Sequence, residues 1–107
     1  MERIDIISKE ICIKYGIDYE RIQGKIELNN DKGILILLDK SINIYDSNGD
    51  QITSITMPLN LDTAISFYDV YYINNKLNVI IATRYNYDIA CIIDEDEWKI
   101  ACMSPSK

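Results

Sequence analysis

Histidine is absent from this chain, and its absence removes most of the familiar catalytic mechanisms. Without an imidazole there is no Ser-His or Cys-His nucleophile pair, no ordinary zinc site and no proton shuttle near neutral pH. Glycine is scarce, with four residues, and the sequence has neither a Walker-type phosphate loop nor a GxGxxG turn. The sequence therefore predicts no catalytic residues, no cofactor and no enzyme activity.

Long apolar segments are also lacking. The longest aliphatic run, residues 34–38, is far shorter than the roughly 20 residues that a membrane helix needs. Residues 1–5 carry acids where a signal peptide has basic and then apolar residues. We therefore expect a cytoplasmic protein that forms a single domain over residues 1–107.

The cysteines do not form a recognisable pattern. The chain has three cysteines, an odd number, and no CxxC motif: Cys12, Cys91 and Cys102. Each has apolar neighbours, which favours buried reduced thiols. Cys91 and Cys102 could approach each other on adjacent strands, but a cytosolic setting would keep them reduced.

Isoleucine and tyrosine are abundant, and their positions predict strands along most of the chain. Residues 24–28, 41–45 and 77–85 alternate between apolar and polar, as a strand with one buried face does. Turn-forming residues separate the strands at residues 29–33, 46–50, 74–76 and 94–96. The pattern predicts an all-β fold, an antiparallel meander of roughly 8–10 short strands, as a β-sandwich or one strongly curved sheet.

A weak internal repeat divides this meander into two units of four strands. Residues 26–37 match residues 71–81, with Asn-Asn pairs 45 positions apart, and a further hairpin and a proline follow each match. The units cover about residues 22–58 and 67–105. Residues 44–52 resemble the outer hairpin of a β-propeller blade, and this resemblance implies two blade-like units.

The N-terminal segment fits two different elements. Its apolar residues have the spacing and terminal glycine of an amphipathic helix: Ile4, Ile7, Ile11, Tyr15 and Gly16. Residues 10–16 also alternate, with Ile11, Ile13 and Tyr15 on one face, and they resemble residues 41–46. We favour a hairpin, with the helix as the alternative.

Two aromatic segments are predicted to lie in the core. Residues 67–73 are apolar on both faces, with Phe67 on one and Tyr68 on the other, which favours a central strand over one half covered by a partner. Trp98 shares a predicted strand face with Ile100 and Cys102. We expect that face to be buried.

Acidic residues exceed basic ones by seventeen to eleven, a net charge of −6. This sign disfavours nucleic acid and anionic membranes as partners, since both are negatively charged, and the lysines and arginines are scattered singly. An acidic surface instead speeds the encounter with a basic protein. We therefore expect a basic protein partner.

The densest acidic segment is the predicted turn at residues 94–97, and a second acidic turn lies at residues 46–50. The latter lacks the order of a calcium loop, so we predict no metal site. Residues 84–88 combine a guanidinium, phenols and a carboxylate, as interface hot spots often do. We expect these segments to lie near one rim. The predicted partner-binding residues are Asp46, Asp50, Arg84, Tyr85, Tyr87, Asp88, Asp94, Glu95, Asp96 and Glu97.

A small, acidic, β-rich chain without catalytic residues is similar in character to the immunity proteins of bacterial toxin systems, such as those of contact-dependent growth inhibition. The resemblance implies a non-enzymatic inhibitor that covers the active or substrate-binding site of a basic toxin, often a nuclease, and that is a monomer or a homodimer. The alternative is an adaptor module that completes its core by self-association. A phage-encoded inhibitor of a host protein and an unrecognised enzyme are further alternatives.

Overall fold

The protein consists of two four-stranded sheets and one helix. The computed structural model describes residues 2–58, 64–85 and 87–106, with side chains up to Cys102. Within these ranges the helix is α1 (Arg3–Tyr15), and short 3₁₀ turns lie at Tyr19–Arg21 and Asn29–Asp31. The strands are β1 (Gly24–Glu27), β2 (Ile34–Leu37), β3 (Ser41–Tyr45), β4 (Gln51–Thr56), β5 (Ala64–Ile73), β6 (Lys76–Thr83), β7 (Asp88–Asp94) and β8 (Lys99–Ser106).

Each sheet is an antiparallel meander in chain order. The first sheet contains β1 to β4 and the second contains β5 to β8, and every pair of sequence neighbours within a sheet is hydrogen-bonded. The sheets cover residues 24–56 and 64–106, close to the two units of the predicted repeat. The prediction of an all-β, sandwich-like fold is confirmed.

The core is divided between the two faces of the first sheet. One face contributes Leu35, Leu37 and Ile44 to a cluster with buried residues of the second sheet, such as Phe67 and Val79. The other face packs against α1 in a smaller cluster of Ile11, Cys12, Ile34, Ile36 and Tyr45. The molecule therefore has three layers, helix, sheet and sheet, and β2 is buried on both of its faces.

The expectation of an N-terminal hairpin is wrong, because residues 3–15 form α1. Gly16 ends the helix with a φ of 70°, and the N–H of Ile17 donates to the Cys12 carbonyl. Ile11 and Cys12 are buried against the first sheet, whereas Ile13 is 84% exposed. A strand face that contains both Ile11 and Ile13 is therefore excluded, and the helical spacing was the better guide.

The expectation of a central strand at residues 67–73 is also wrong, because β5 is an edge strand of the second sheet. β5 has register shifts between Ala64 and Ser66 and between Phe67 and Asp69, and beyond each shift the side chains lie on the opposite face from the one that strict alternation predicts. Phe67 and Val70 are consequently both buried, while Tyr68 is exposed. A bulge of this kind cannot be read from alternation alone.

The cysteines differ from the prediction of three reduced thiols. Cys91 and Cys102 lie opposite each other on β7 and β8 and form a disulfide. Cys12 is free and lies on the face of α1 that is buried against the first sheet, and burial raises the pKa of its thiol. Trp98, Ile100 and Cys102 pack against the core but are only partly buried, and Trp98 lies in the turn before β8, with a φ of 55°, rather than on the predicted strand face.

The double burial of β2 makes its side chains the most sensitive to truncation. We expect Leu35→Ala to lower the free energy of unfolding by about 2–5 kcal/mol, because it opens a cavity at a side chain that is 0% exposed. The matched control is Ile13→Ala, which we expect to change the stability by less than about 0.5 kcal/mol. Urea denaturation followed by tryptophan fluorescence measures both. Equal effects of the two substitutions would contradict the packing of β2.

Candidate functional site: the acidic end

Four turns meet at one end of the sandwich. The β1–β2 turn touches the β3–β4 turn, since a Cβ placed on Gly33 would lie 1.9 Å from the Tyr45 carbonyl oxygen. It also reaches the second sheet, where the hydroxyl of Tyr72 accepts the N–H of Asn29 and donates to Glu95. We call this region the acidic end and define it as residues 28–33, 46–50, 74–75 and 94–98.

Carboxylates are concentrated at the acidic end. Its four turns carry seven acidic residues and one lysine, which is a net charge of −6 and equals that of the whole chain. The acidic residues are Asp31, Asp46, Asp50, Asp94, Glu95, Asp96 and Glu97. The remainder of the chain is neutral in sum. Lys14 and Lys99 of that remainder lie beside the acidic end and offset part of its charge, but the electrostatic field of the molecule stays asymmetric.

Asp46 and Asp94 shape the turns in which they lie. Asp46 is the first residue after β3, and its Oδ1 accepts the backbone N–H groups of Asn48 and Asp50, at 2.9 and 3.0 Å. The Oδ1 of Asp94 likewise accepts the N–H of Asp96 at 2.8 Å. Both side chains hold the backbone in an Asx turn. Their first role is structural, which the sequence-based list of binding residues did not distinguish.

Tyr72 connects the two sheets at the acidic end. Its half-buried phenol lies 3.1 Å from the Asn29 nitrogen and 2.9 Å from Oε1 of Glu95. Burial raises the pKa of Tyr72 to about 12, and the hydrogen bond to Glu95 acts in the same direction, against the N–H of Asn29. The neutral phenol therefore keeps the β1–β2 and β7–β8 turns together at physiological pH.

Lysines accompany two of the carboxylates. Lys14, at the end of α1, donates to Asp50, and this hydrogen bond raises the pKa of the Lys14 ammonium. Lys99 lies 3.3 Å from Glu97, in a pair whose side chains are both well exposed, so it contributes little to stability. Among the described residues, no hydrogen bond or ion pair involves the side chain of Asp31 or Asp96.

An open polar cleft lies between the turns of the two sheets. Asn29, Asn30 and Lys32 line it on one side, and Asn75 and Glu95 line it on the other. Asn30 and Asn75 have φ values of 62° and 63°, in the left-handed region that asparagine tolerates. The cleft thus presents amide groups and a carboxylate to solvent, a combination that can accept hydrogen bonds from lysine or arginine side chains.

The structure separates the aromatic segment from the acidic turns, so the expectation of one shared rim is wrong for Arg84, Tyr85, Tyr87 and Asp88. These residues connect β6 to β7 at the opposite end of the second sheet, about 25 Å away by the rise of the eight residues of β6. The rings of Tyr85 and Tyr87 are stacked, with centroids 6.1 Å apart. Asn86 lies outside the described residues.

The carboxylate of Asp88, at that opposite end, already has a hydrogen-bond partner within the fold. The Tyr68 hydroxyl donates to this carboxylate, and this hydrogen bond is the main cause that raises the pKa of Tyr68 to about 12. Arg84 and Tyr85 are exposed. The structure therefore brings together six of the ten predicted residues, namely Asp46, Asp50, Asp94, Glu95, Asp96 and Glu97.

Sequence reasoning missed two parts of the acidic end. Asp31 lies in the predicted turn at residues 29–33, which is not among the predicted binding segments, and Tyr72 lies in the segment 67–73, which is predicted to belong to the core. The Asn-Asn repeat was the available signal, since the turns at residues 29–30 and 74–75 lie on either side of the cleft. Within the described ranges, no three Cys, Asp or Glu side chains are arranged so that they could hold a metal ion.

The comparisons with known proteins add no relative. No protein-family model matches the chain, and no curated protein or solved structure is significantly similar to it. In the part of the chain that the structure describes, α1 is too short and too polar to cross a membrane, and no other helix reaches its length.

The hydrogen bonds of Tyr72 lead to a prediction about stability and pH. We expect Tyr72→Phe to lower the free energy of unfolding at pH 7 by about 1 kcal/mol, because it leaves Glu95 and the Asn29 N–H without their shared partner. The folded pKa is raised, so this stabilisation is present below pH 10 and is lost as the pH rises from about 10 to about 12. The difference between wild type and variant should therefore shrink in that window.

Urea denaturation at pH 7, 9 and 11 measures this difference, and Tyr71→Phe, on the opposite face of the same strand, is the control. A difference between wild type and Tyr72→Phe that stays constant from pH 9 to pH 11 would contradict the proposed protonation state.

Proposed function

We propose that this protein is a non-enzymatic inhibitor that binds a basic protein through its acidic end, as the immunity protein of a bacterial toxin does. The observation that carries this proposal is the convergence of four turns, with seven carboxylates and one lysine, at a single end of a rigid sandwich. A basic toxin domain, such as a nuclease whose active site binds phosphates, presents the complementary charge.

The distribution of charge supports this proposal better than the net charge does. If the acidic residues were spread evenly, they would raise solubility without orienting a partner. Concentrated at one end, they attract a basic surface from a distance and turn it toward the same residues that it will contact. Exposed Asp31 and Asp96 can then accept hydrogen bonds from lysine or arginine side chains without breaking contacts inside the fold.

The fold also supports recognition by preorganised turns. Asp46 and Asp94 hold their turns through backbone hydrogen bonds, and Tyr72 joins the two sheets. Turns that are already ordered lose little conformational entropy on binding, which favours slow dissociation. The four asparagines at residues 29–30 and 74–75 add amide donors and acceptors beside the carboxylates.

An immunity protein of this kind acts in the cytoplasm of the cell that makes it, and we propose that location. Cytoplasmic reductants attack disulfides, so the Cys91–Cys102 disulfide would have to resist them. Cys91 is 0% exposed, so an attacking thiolate has access only through the half-buried Cys102, and this limited access favours such resistance.

The second candidate is an adaptor module that self-associates. The hydrophobic core does not require it, since the two sheets cover each other and α1 covers the outer face of the first sheet. One observation nevertheless favours self-association, namely that the edge strand β4 carries no charged residue.

A pair of charge variants tests the role of the acidic end. The first variant, Asp31→Asn with Asp96→Asn and Glu97→Gln, removes three charges from the acidic end. The control, Asp18→Asn with Glu20→Gln and Asp39→Asn, removes three charges from an open groove beside the β2–β3 connection. Both variants have the same net charge, so only the position of the lost charges differs.

The measurement uses the partner that the wild-type chain captures from its native cells, identified by mass spectrometry and then purified. At low ionic strength we expect the acidic-end variant to associate about tenfold more slowly than wild type, and the control to change by less than about threefold. We also expect wild type to abolish the partner's activity at equimolar concentration. Equal association rates for the two variants, or a partner that remains active when bound, would refute the proposal.

A further inference from the structure

The four edge strands of the two sheets differ in how they avoid pairing with other chains. β1 has only four residues, and its Lys25 pairs with Asp5 of α1 at 3.1 Å. β8 begins with Lys99 and contains Pro105, which has no N–H to donate. Both strands therefore carry the features with which proteins protect sheet edges, namely short length, charge and proline.

β5 is protected in another way. It contains two register shifts, which bend the strand, and its backbone is occupied by the connection between β2 and β3. The N–H of Phe67 donates to the Asp39 carbonyl at 2.8 Å, and the Lys40 ammonium donates to the carbonyl of Ile65. This edge is therefore covered by the first sheet.

β4 has such protection only at its start, where it has a register shift and where the Gln51 N–H donates to the Tyr15 hydroxyl at 2.8 Å. None of its six residues, Gln51–Thr56, is charged, and none is proline or glycine. Four of the six are β-branched, including the exposed Ile52. No strand of the described part of the chain lies on its free side. The single register shift of β4 falls near Gln51, so that residues 53–56 pair regularly with β3.

The pairing with β3 shows which backbone groups of β4 point away from β3. The N–H of Met57 donates to the Lys40 carbonyl, so residue 57 points toward β3. Because backbone groups alternate in direction along a strand, those of Ile55 and Thr53 also point toward β3, and those of Thr56 and Ser54 point away from it. The edge therefore offers an alternating row of donors and acceptors to a further strand.

We propose that the β4 edge binds a second copy of this chain, in an antiparallel pair that joins the two first sheets into one sheet of eight strands. Directly opposite residues of an antiparallel pair share a face, so a twofold axis normal to the sheet must pass midway between one residue and the same residue of the other copy. The outward backbone groups of Ser54 make it that residue. Ser54 then pairs with Ser54 of the other copy, and Ile52 pairs with Thr56.

Because β4 carries no charged residue, two copies can pair along this edge without placing like charges opposite each other, and the charges elsewhere select the antiparallel arrangement. The antiparallel pair places the acidic ends of the two copies at opposite poles, where their repulsion is smallest. Each acidic end then lies nearest the opposite end of the other copy, where the charged residues of the described connections sum to only −1: Asp18, Glu20, Arg21, Asp39, Lys40, Arg84 and Asp88. A parallel pair would instead bring the two acidic ends together.

The dimer goes beyond the proposed function and does not depend on it. Each acidic end remains free, so the dimer would present two identical binding sites at its two poles. A single pair of short strands buries less area than the roughly 1,200–2,000 Å² of a standard stable interface, so we expect a dissociation constant between about 10 µM and about 1 mM. Measurements must therefore cover a range of protein concentration.

Sedimentation equilibrium of the wild-type chain from about 5 µM to about 1 mM tests the proposal without any partner. We expect the mass to rise from that of the 12.4 kDa monomer toward twice that value. Ser54→Lys and Ser54→Glu should each remain monomeric over this range, because like charges would face each other across the axis. Ala101→Lys, an exposed position on β8, is the matched control and should dimerise as wild type does.

An equimolar mixture of Ser54→Lys and Ser54→Glu separates the proposed register from misfolding. If Ser54 faces Ser54, the opposite charges attract, and the mixture should form a dimer although neither variant does alone. Circular dichroism confirms that each variant is folded. A wild-type chain that stays monomeric at 1 mM, or folded Ser54 variants that dimerise alone as wild type does, would overturn the proposal. A mixture that stays monomeric would overturn the register.

Discussion

The burial of β2 on both faces is the constraint on which the other parts of the structure depend. Leu35 and Leu37 pack against the second sheet, while Ile34 and Ile36 pack against α1. One short strand therefore supports the contacts of both other layers, and the meander places charged turns around it. Removing either layer would expose a continuous aliphatic surface to water. The helix is therefore an integral part of the fold rather than an appendage to a β-sandwich.

The position of the acidic residues follows from the meander and from the way the two sheets pack. Successive connections of a meander lie at alternate ends, so the β1–β2 and β3–β4 turns share one end, as do the β5–β6 and β7–β8 turns. The packing of the sheets brings these two pairs to the same end, where Tyr72 joins them. Four turns that are separate in sequence thereby form one charged surface, and the connection that contains Arg84 is directed away from it.

Local patterns predicted most of the strands and turns but not the features that depend on packing. The alternation of residues 10–16 competed with a helical spacing, and the end of α1 at Gly16 was the decisive signal. The meander alone could have placed residues 84–88 away from residues 94–97, since their connections follow each other. The register shifts of β5, the relative direction of the two sheets and the Cys91–Cys102 pairing depend on tertiary contacts. No local pattern encodes them.

The central claim is that the acidic end is the surface that meets a basic partner. It can be tested most directly by titrating the ¹⁵N-labelled protein with a short oligoarginine peptide at low ionic strength and following the amide chemical shifts. We expect the largest changes in the acidic end, residues 28–33, 46–50, 74–75 and 94–98, and we expect them to disappear at high salt, because exposed charges are then screened. Changes that are spread evenly over the surface, or centred on residues 38–40 and 84–88, would contradict it.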